Sequence, residues 1–297
     1  MTSIVIPAHN EGRVIGRLLD ALLADTSASG PDIVVVCNGC TDDTAEVAAA
    51  RGPRVRVVEI PAPSKHTALR VGDEHARGFP RLYVDADVVV GAADVRALAD
   101  ALAGSQDLLA AAPGRDIPLA GCAWPVRAYY RVWQRLPAVR EGLFGRGVIA
   151  VSEPGHARLA ALPPLMADDL AASLAFGPGE RRVVEAARVV VHPPRTWSDL
   201  VRRRIRAATS SAEYEHFQAS RRAGAPAAPD APQAQAQAQS ARTGTADLRA
   251  LLRAQPGLLP GVVVFVVAAL AARRGSREAI RKQDFSTWLR DESSRRN

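Results

Sequence analysis

The sequence is short of cysteine, lysine and long apolar runs, and each shortage removes a class of protein. Three cysteines in 297 residues, Cys37, Cys40 and Cys122, cannot make a disulfide framework. Cys37 and Cys40 stand in a C-x-x-C spacing, but no second cysteine pair or spaced histidine pair completes a zinc site. Both therefore read as small buried or turn residues. His9, His66 and His156 show no metal-ligand spacing either. Only Thr2 separates Met1 from the first apolar run, with no basic segment before it, so no signal peptide is read and a reducing cytoplasm is expected. A membrane span wants about 20 apolar residues. The apolar run Leu258–Ala272 is shorter, and Pro260-Gly261 interrupts its start. Three readings stay open for it: a membrane-embedded or re-entrant segment, a full span, or a helix packed on protein.

What is present is mostly ordinary. Hydrophobic content of 47% and charge content of 23% fit a globular protein with one large core, or one core and a small appendage. The formal net charge of +7 is unevenly placed: residues 195–297 hold 18 Lys/Arg against 9 Asp/Glu. A basic tail suits an anionic membrane surface or an anionic ligand. No motif or aromatic-interleaved basic patch supports nucleic acid. Lysine is rare, with only Lys65 and Lys282. Where arginine is so favoured, Lys65 is either kept for its compact charge or a chance surface residue.

Short apolar runs at 3–7, 32–37, 55–60, 81–85 and 108–112 read as strands, and helical patterns separate the first four. Val14, Ile15, Leu18, Leu19, Leu22 and Leu23 form one helix face, with Asn10 expected as its N-cap and Glu11 in its first turn. Thr41 is expected to cap the next helix, and Val95, Leu98, Ala99 and Leu102 mark another. This alternation implies an α/β fold, a mostly parallel sheet with helices on both faces. Beyond it, helices are expected near 124–136 and after Asp169, strands near 146–151, 182–185 and 188–192, and a basic helix capped by Ser198 and running to about 222. Residues 223–246 are Ala, Pro, Gln, Ser and Gly with almost no large apolar side chain, and read as a flexible linker. The expected organisation is a domain over 1–222, this linker, and a helical, membrane-associated segment over 247–297.

Three motifs carry chemistry, each at an expected strand or helix end. Ile4-Val5-Ile6-Pro7-Ala8-His9-Asn10-Glu11 closes the first strand. In Asp85-Ala86-Asp87 the carboxylates are two apart, so on extended chain they face one side and can reach one ligand. Hard oxygen donors of this kind suit Mg²⁺ or Mn²⁺, with phosphate oxygens supplying the remaining ligands. The bland alternative is a pair of strand-terminating aspartates. Asp168-Asp169 precedes Leu170, Leu174 and Phe176, and reads either as a helix cap or as a carboxylate able to take a proton from a hydroxyl.

Together with Asn38-Gly39-Cys40-Thr41-Asp42-Asp43-Thr44 and Lys65, these motifs resemble the family 2 inverting glycosyltransferases of GT-A fold, in their actinobacterial-type, membrane-associated form. The resemblance covers about residues 1–215. It implies a GT-A-type sheet flanked by helices with a C-terminal helical appendage. It also implies a nucleotide-diphosphate-sugar donor, Mn²⁺ or Mg²⁺, and a glycan or lipid-linked acceptor at the inner face of the cell membrane. By resemblance Pro7, Ala8, Asn10, Glu11 and Asn38 line the nucleotide pocket, with Lys65 beside them. Asp85 lies near the ribose and metal, Asp87 ligates the metal, and Asp169, paired with Asp168, is the general base. Cys37 stands where many relatives carry an Asp that reads the uracil edge, which leaves UDP and GDP both open. The stretch Leu200–Arg206 lacks the Gln and Trp of processive members, pointing to single transfer. Its Arg203 and Arg206 suit a diphosphate, or a solvated or membrane-facing helix surface. Two other functions fit the pattern less well. A sugar nucleotidyltransferase would want a Gly-rich basic loop where this chain has Pro7–Gly12. A non-catalytic membrane-associated scaffold would have no use for the acidic motifs. The stretch Trp288–Arg295 resembles the tail of some relatives and carries no mechanism.

Overall fold

The computed structural model describes residues 1–24, 30–162, 168–224 and 244–281. In chain order the elements are β1 (Ser3–Ala8), α1 (Gly12–Leu23), β2 (Asp32–Asn38), α2 (Thr44–Ala49), β3 (Val55–Ile60), α3 (Lys65–His75), β4 (Arg81–Val84), β5 (Val89–Val90) and α4 (Ala92–Ala103). They continue with β6 (Ala110–Asp116), α5 (Trp124–Trp133), α6 (Pro137–Glu141), β7 (Val148–Val151), α7 (Glu153–Ala160), α8 (Asp168–Leu174), β8 (Arg181–Val190) and α9 (Trp197–Gly224). Last come α10 (Thr245–Ala254), a 3₁₀ turn (Pro256–Leu258) and α11 (Leu259–Arg281). Two compact units result: Met1–Pro118 with Gly145–Pro163 and Ala175–His192, and Leu119–Phe144 with Pro164–Leu174 and Pro193–Asn297.

The first unit holds one sheet in the order β3-β2-β1-β4-β7-β6-β8-β5. The segment β3-β2-β1-β4 is parallel, as the alternating sequence predicts, while β7 runs antiparallel to both β4 and β6. The whole is a mixed α/β sheet. Ile4, Val5 and Ile6 are all fully buried because β1 is covered on both faces, which is why its sequence is a continuous apolar run. Ile4, Ile6, Ile33 and Val35 join Ile15, Leu18, Leu19 and Leu22 of α1 and Val95, Leu98 and Leu102 of α4 in one core. On the other face Val34 and Val36 meet Ala68 of α3. Gly72 lets α3 press onto β1, since a Cβ there would stand 2.3 Å from Val5 Cγ1.

Strand direction changes side at β1: β2 and β3 extend to one side and β4 lies on the other. The β1–β2 ladder runs from Ser3 to Ala8, but the β1–β4 ladder stops at Val5. Ser3 N–H donates to Pro80 O, so odd-numbered residues of β1 point their backbone toward β4. Pro7 shares that phase and has no N–H to donate. The residue that ends the ladder is therefore the one chemically unable to extend it. The crevice between β1 and β4, at the carboxyl ends of parallel strands, is where open α/β sheets bind ligands.

Several local expectations change. The runs 182–185 and 188–192 are parts of one strand, β8, whose register on β6 jumps from Val184 to Arg188, leaving Glu185-Ala186-Ala187 as a bulge. The helix expected over 124–136 ends at Trp133, and Pro137 opens a separate short helix. The helix expected to follow a Ser198 cap begins two residues earlier, at Trp197, and Thr196 Oγ1 accepts the Asp199 N–H, making Thr196 its cap.

In the second unit α11 packs on α9 and α5. Tyr129 is 2% exposed and stacks on Phe265, ring centroids 5.2 Å apart. Residues 223 and 224 close α9, while 245 and 246 open α10; the linker expected between them, Lys282 and the stretch Trp288–Arg295 lie outside the described residues.

Candidate active site

The turn after β1 and the turn after β2 are tied together across some thirty residues of sequence. Asn38 is buried; its side-chain N–H donates to Ala8 O at 2.8 Å, and His9 Nδ1 lies 2.6 Å from Asn38 O. Asn10 adopts φ 51 and accepts the Thr41 N–H on its Oδ1 at 2.7 Å. Asparagine tolerates this left-handed backbone better than most residues. Asn10 is thus a clamp between turns and not the cap of α1, as the sequence had suggested. Glu11 occupies the N-cap position, and its N–H donates to Thr44 Oγ1 at 2.8 Å.

Asp42 sits at the centre of this tie. It accepts the N–H of Gly12 at 3.1 Å and the N–H of Thr44 at 3.1 Å, and the Thr44 hydroxyl as well. Helix α2 starts at Thr44 with Asp43 in the N-cap position, so Thr41 does not cap it. Burial pushes the Asp42 pKa up, and the hydrogen bonds from Thr44 and Gly12 pull it down by more, so the carboxyl lies below its ordinary range. Gly39, at φ 57, passes against Pro63, and its N–H donates to Ile60 O at 2.8 Å. Cys37 is buried, its thiol pushed up to about 12 by burial and then by Cys40. A thiol so held is inert.

Asp85 and Asp87 follow β4. Ala86 and Val88 are 4% exposed while both aspartates are half-exposed, but the backbone is not the extended chain expected from the spacing: Ala86 and Asp87 lie in a turn closed by the Val88 N–H donating to Asp85 O at 3.4 Å. Lys65, the first residue of α3, donates from Nζ to Asp85 Oδ1 at 2.8 Å. Lys65 is therefore paired with a specific carboxylate, where the sequence left a chance surface charge open. Asp85 N–H donates to Gly147 O at 2.8 Å. Gly147 has φ 66, and a Cβ on it would stand 2.5 Å from Val88 Cγ1 and 3.3 Å from Asp85 Oδ2. Here the left-handed backbone and the lack of space both demand glycine. Gly147→Ala is expected to lower stability by about 1–3 kcal/mol, read as a fall in the urea midpoint with an unchanged slope.

The first unit therefore brings together Pro7, Ala8, Asn10, Glu11, Asn38, Lys65, Asp85 and Asp87 at the carboxyl ends of its parallel strands. Asp168, Asp169, Arg203 and Arg206 belong to the second unit. Asp168 and Asp169 open α8, with their side chains outside the described residues, and Arg203 and Arg206 are half-buried on α9. Sequence reading missed Arg146. It is buried between Gly145 and Gly147 and donates from Nη1 to Pro113 O at 2.8 Å. Burial lowers its pKa to about 10. An arginine flanked by two glycines just before a strand was the available signal.

A family model described as Glycosyl transferase family 2 matches residues 3–143. A glycosyltransferase of Mycobacterium tuberculosis (strain ATCC 25618 / H37Rv), described as uncharacterized, is 37% identical over 123 residues, 41% of this chain and 52% of that protein. A dolichyl-phosphate beta-glucosyltransferase of Trichomonas vaginalis is 36% identical over 97 residues, 29% of each chain. The chain spans about half the length, or less, of these curated relatives. Among solved structures, a mannosyltransferase from Pyrobaculum calidifontis, in complex with GDP-Man and Mn²⁺, superposes with a TM-score of 0.63 at 21% identity. That match covers 93% of this chain and 86% of the other, and it shows the fold.

Proposed function

We propose, from the match of residues 3–143 to the model of glycosyl transferase family 2, that the chain is a metal-dependent, inverting glycosyltransferase of that family. It moves one sugar from a nucleotide-diphosphate sugar to an acceptor hydroxyl on a glycan or lipid-linked acceptor, in cell-envelope or exopolysaccharide assembly. The observation that carries the reading is the meeting of Pro7–Glu11, Asn38, Lys65 and Asp85–Asp87 at the open crevice beside β1.

Asp85 and Asp87 are half-exposed hard oxygen donors at the turn after β4, and they would fit Mn²⁺ or Mg²⁺. Two carboxylates cannot fill such a shell, and among the described residues no group of three or more His, Cys, Asp or Glu is poised to do so. The diphosphate of the donor would supply the missing oxygens. A bound divalent cation would offset the charge that develops on the departing diphosphate. Lys65 holds Asp85 in place by its ion pair, and the Asn10–Thr41 and Asp42 ties fix the turn that lines the nucleotide pocket. Asp169 takes the proton of the acceptor hydroxyl, and Arg203 and Arg206 pair with diphosphate oxygens. Inversion by single displacement needs one base and no covalent intermediate. The relative named for dolichyl phosphate supports a lipid-linked acceptor. An acceptor of that kind lies at a membrane, so the protein works at the inner face of the cell membrane, in contact with anionic lipid.

The test is a thermal-shift screen of UDP, GDP and their sugars, with and without Mn²⁺ or Mg²⁺. A ligand at 100 times its Kd adds about 2.7 kcal/mol of stability. One nucleoside diphosphate should raise the midpoint by several degrees, and only with metal present. Turnover should release that nucleoside diphosphate. Pyrophosphate as the product would assign a nucleotidyltransferase instead. No shift with any nucleotide would leave a scaffold.

A further inference from the structure

Helix α11 has two unlike faces. Val262, Phe265, Ala268, Ala272 and Ser276 are buried where it packs on α9 and α5. Gly261 and Gly275 lie on that side: a Cβ on the first would stand 3.0 Å from Val132 Cγ2, and on the second 2.5 Å from Ile205 Cδ1. The opposite face carries Leu259, Val263, Val266, Val267 and Leu270, from 38% to 57% exposed. At 3.6 residues per turn these five fall in one stripe about 100° wide. The same stripe continues through Arg273, Arg274, Arg277 and Arg281, all exposed. One helix face is thus aliphatic for its first three turns and cationic for the rest.

We propose that this face of α11 docks in the plane of an anionic lipid bilayer. Leu259 to Leu270 enter the boundary between headgroups and acyl chains, and the four arginines lie among the lipid phosphates. The inference deepens the membrane contact proposed above and rests on it. Residues Pro256–Glu278 are long and apolar enough to cross a membrane, but the neighbours of the helix argue against a span. The buried face of α11 lies against Ile205, within the run Arg202, Arg203, Arg204 and Arg206 of α9, and against α5, which carries Arg127 and Arg131. Crossing the bilayer would carry these arginines into hydrocarbon, whereas in-plane docking leaves them above it. A second copy fits poorly. Paired through this stripe, the arginines would face either their own copies or the aliphatic side chains of the partner. Anionic lipid offers apolar surface and phosphate side by side, matching both halves of the stripe.

The full chain is sedimented with phosphatidylcholine vesicles, with and without phosphatidylglycerol. Binding is expected only to the anionic vesicles and is reversed by high salt. Two triple variants read the face separately: Val263→Ser with Val267→Ser and Leu270→Ser, and Arg273→Gln with Arg274→Gln and Arg277→Gln. Each should weaken binding by about tenfold or more, with an unchanged melting midpoint. Failure of the wild type to bind anionic vesicles would sink the membrane reading itself. Equal binding by wild type and both variants would overturn this face alone. Retention in the vesicles through high salt and alkaline wash would make α11 a span. Lipid-free dimerisation lost in the Val/Leu variant would make the occupant a second copy.

Discussion

Asp87→Ala is expected to lower kcat/KM for metal-dependent sugar transfer by about 10³-fold or more, a loss of roughly 4 kcal/mol of transition-state stabilisation. The cause is arithmetic. On the proposed function the protein would offer the cation two carboxylates, Asp85 and Asp87, and Asp85 is already engaged by Lys65 at 2.8 Å. Removing Asp87 leaves a single, partly neutralised carboxylate. The fold should stand within about 1 kcal/mol of wild type, because the packing at this strand end is carried by Ala86 and Val88, each 4% exposed. Activity and stability are therefore separable. Urea unfolding should be almost unmoved, while the thermal shift given by nucleoside diphosphate with Mn²⁺ should vanish. Metal-dependent turnover persisting at the wild-type rate would show that the cation is held elsewhere. Lys65→Met is the matching control. It frees Asp85 and should change metal affinity far less than loss of Asp87.

The parts of this site that could be read in the sequence are those encoded within a few residues. The continuous apolar runs of β1 and β2 announce strands buried on both faces, and Asp85 and Asp87 are half-exposed where β4 ends, though in a turn and not on extended chain. What escaped depends on partners far along the chain. Asn10 looks like a helix cap in its own neighbourhood, and it departs from that role because Thr41, thirty-one residues away, presents an N–H at 2.7 Å. Asp42 looks like a first-turn residue of one helix and in fact joins two helix starts. Local periodicity separates 182–185 from 188–192, and only the register on β6 makes them one strand with a bulge. Likewise an apolar run ending at Ala272 hides a helix that continues to Arg281, because its arginines prolong the exposed stripe while the buried face goes on packing.

Asp169→Asn is the second large effect, and it separates the two roles that the sequence leaves to this residue. Asp168 and Asp169 open α8, where a carboxylate serves equally as a helix cap or as a base. Asparagine caps a helix about as well as aspartate. The substitution therefore preserves any capping and removes only the capacity to accept a proton. If Asp169 is the base, kcat falls by about 10²–10⁴-fold. Donor affinity and melting midpoint stay unchanged, since neither depends on the proton transfer. The rate of wild type should fall as pH drops through the pKa of the ionised base, and the variant should lose that acidic limb. A structural role predicts the reverse pattern, with Asp169→Asn near wild type in rate and Asp169→Ala less stable by about 1 kcal/mol. Asp168→Asn supplies the internal comparison. A larger loss of rate there than at Asp169 would move the base by one residue and leave the single-displacement chemistry intact.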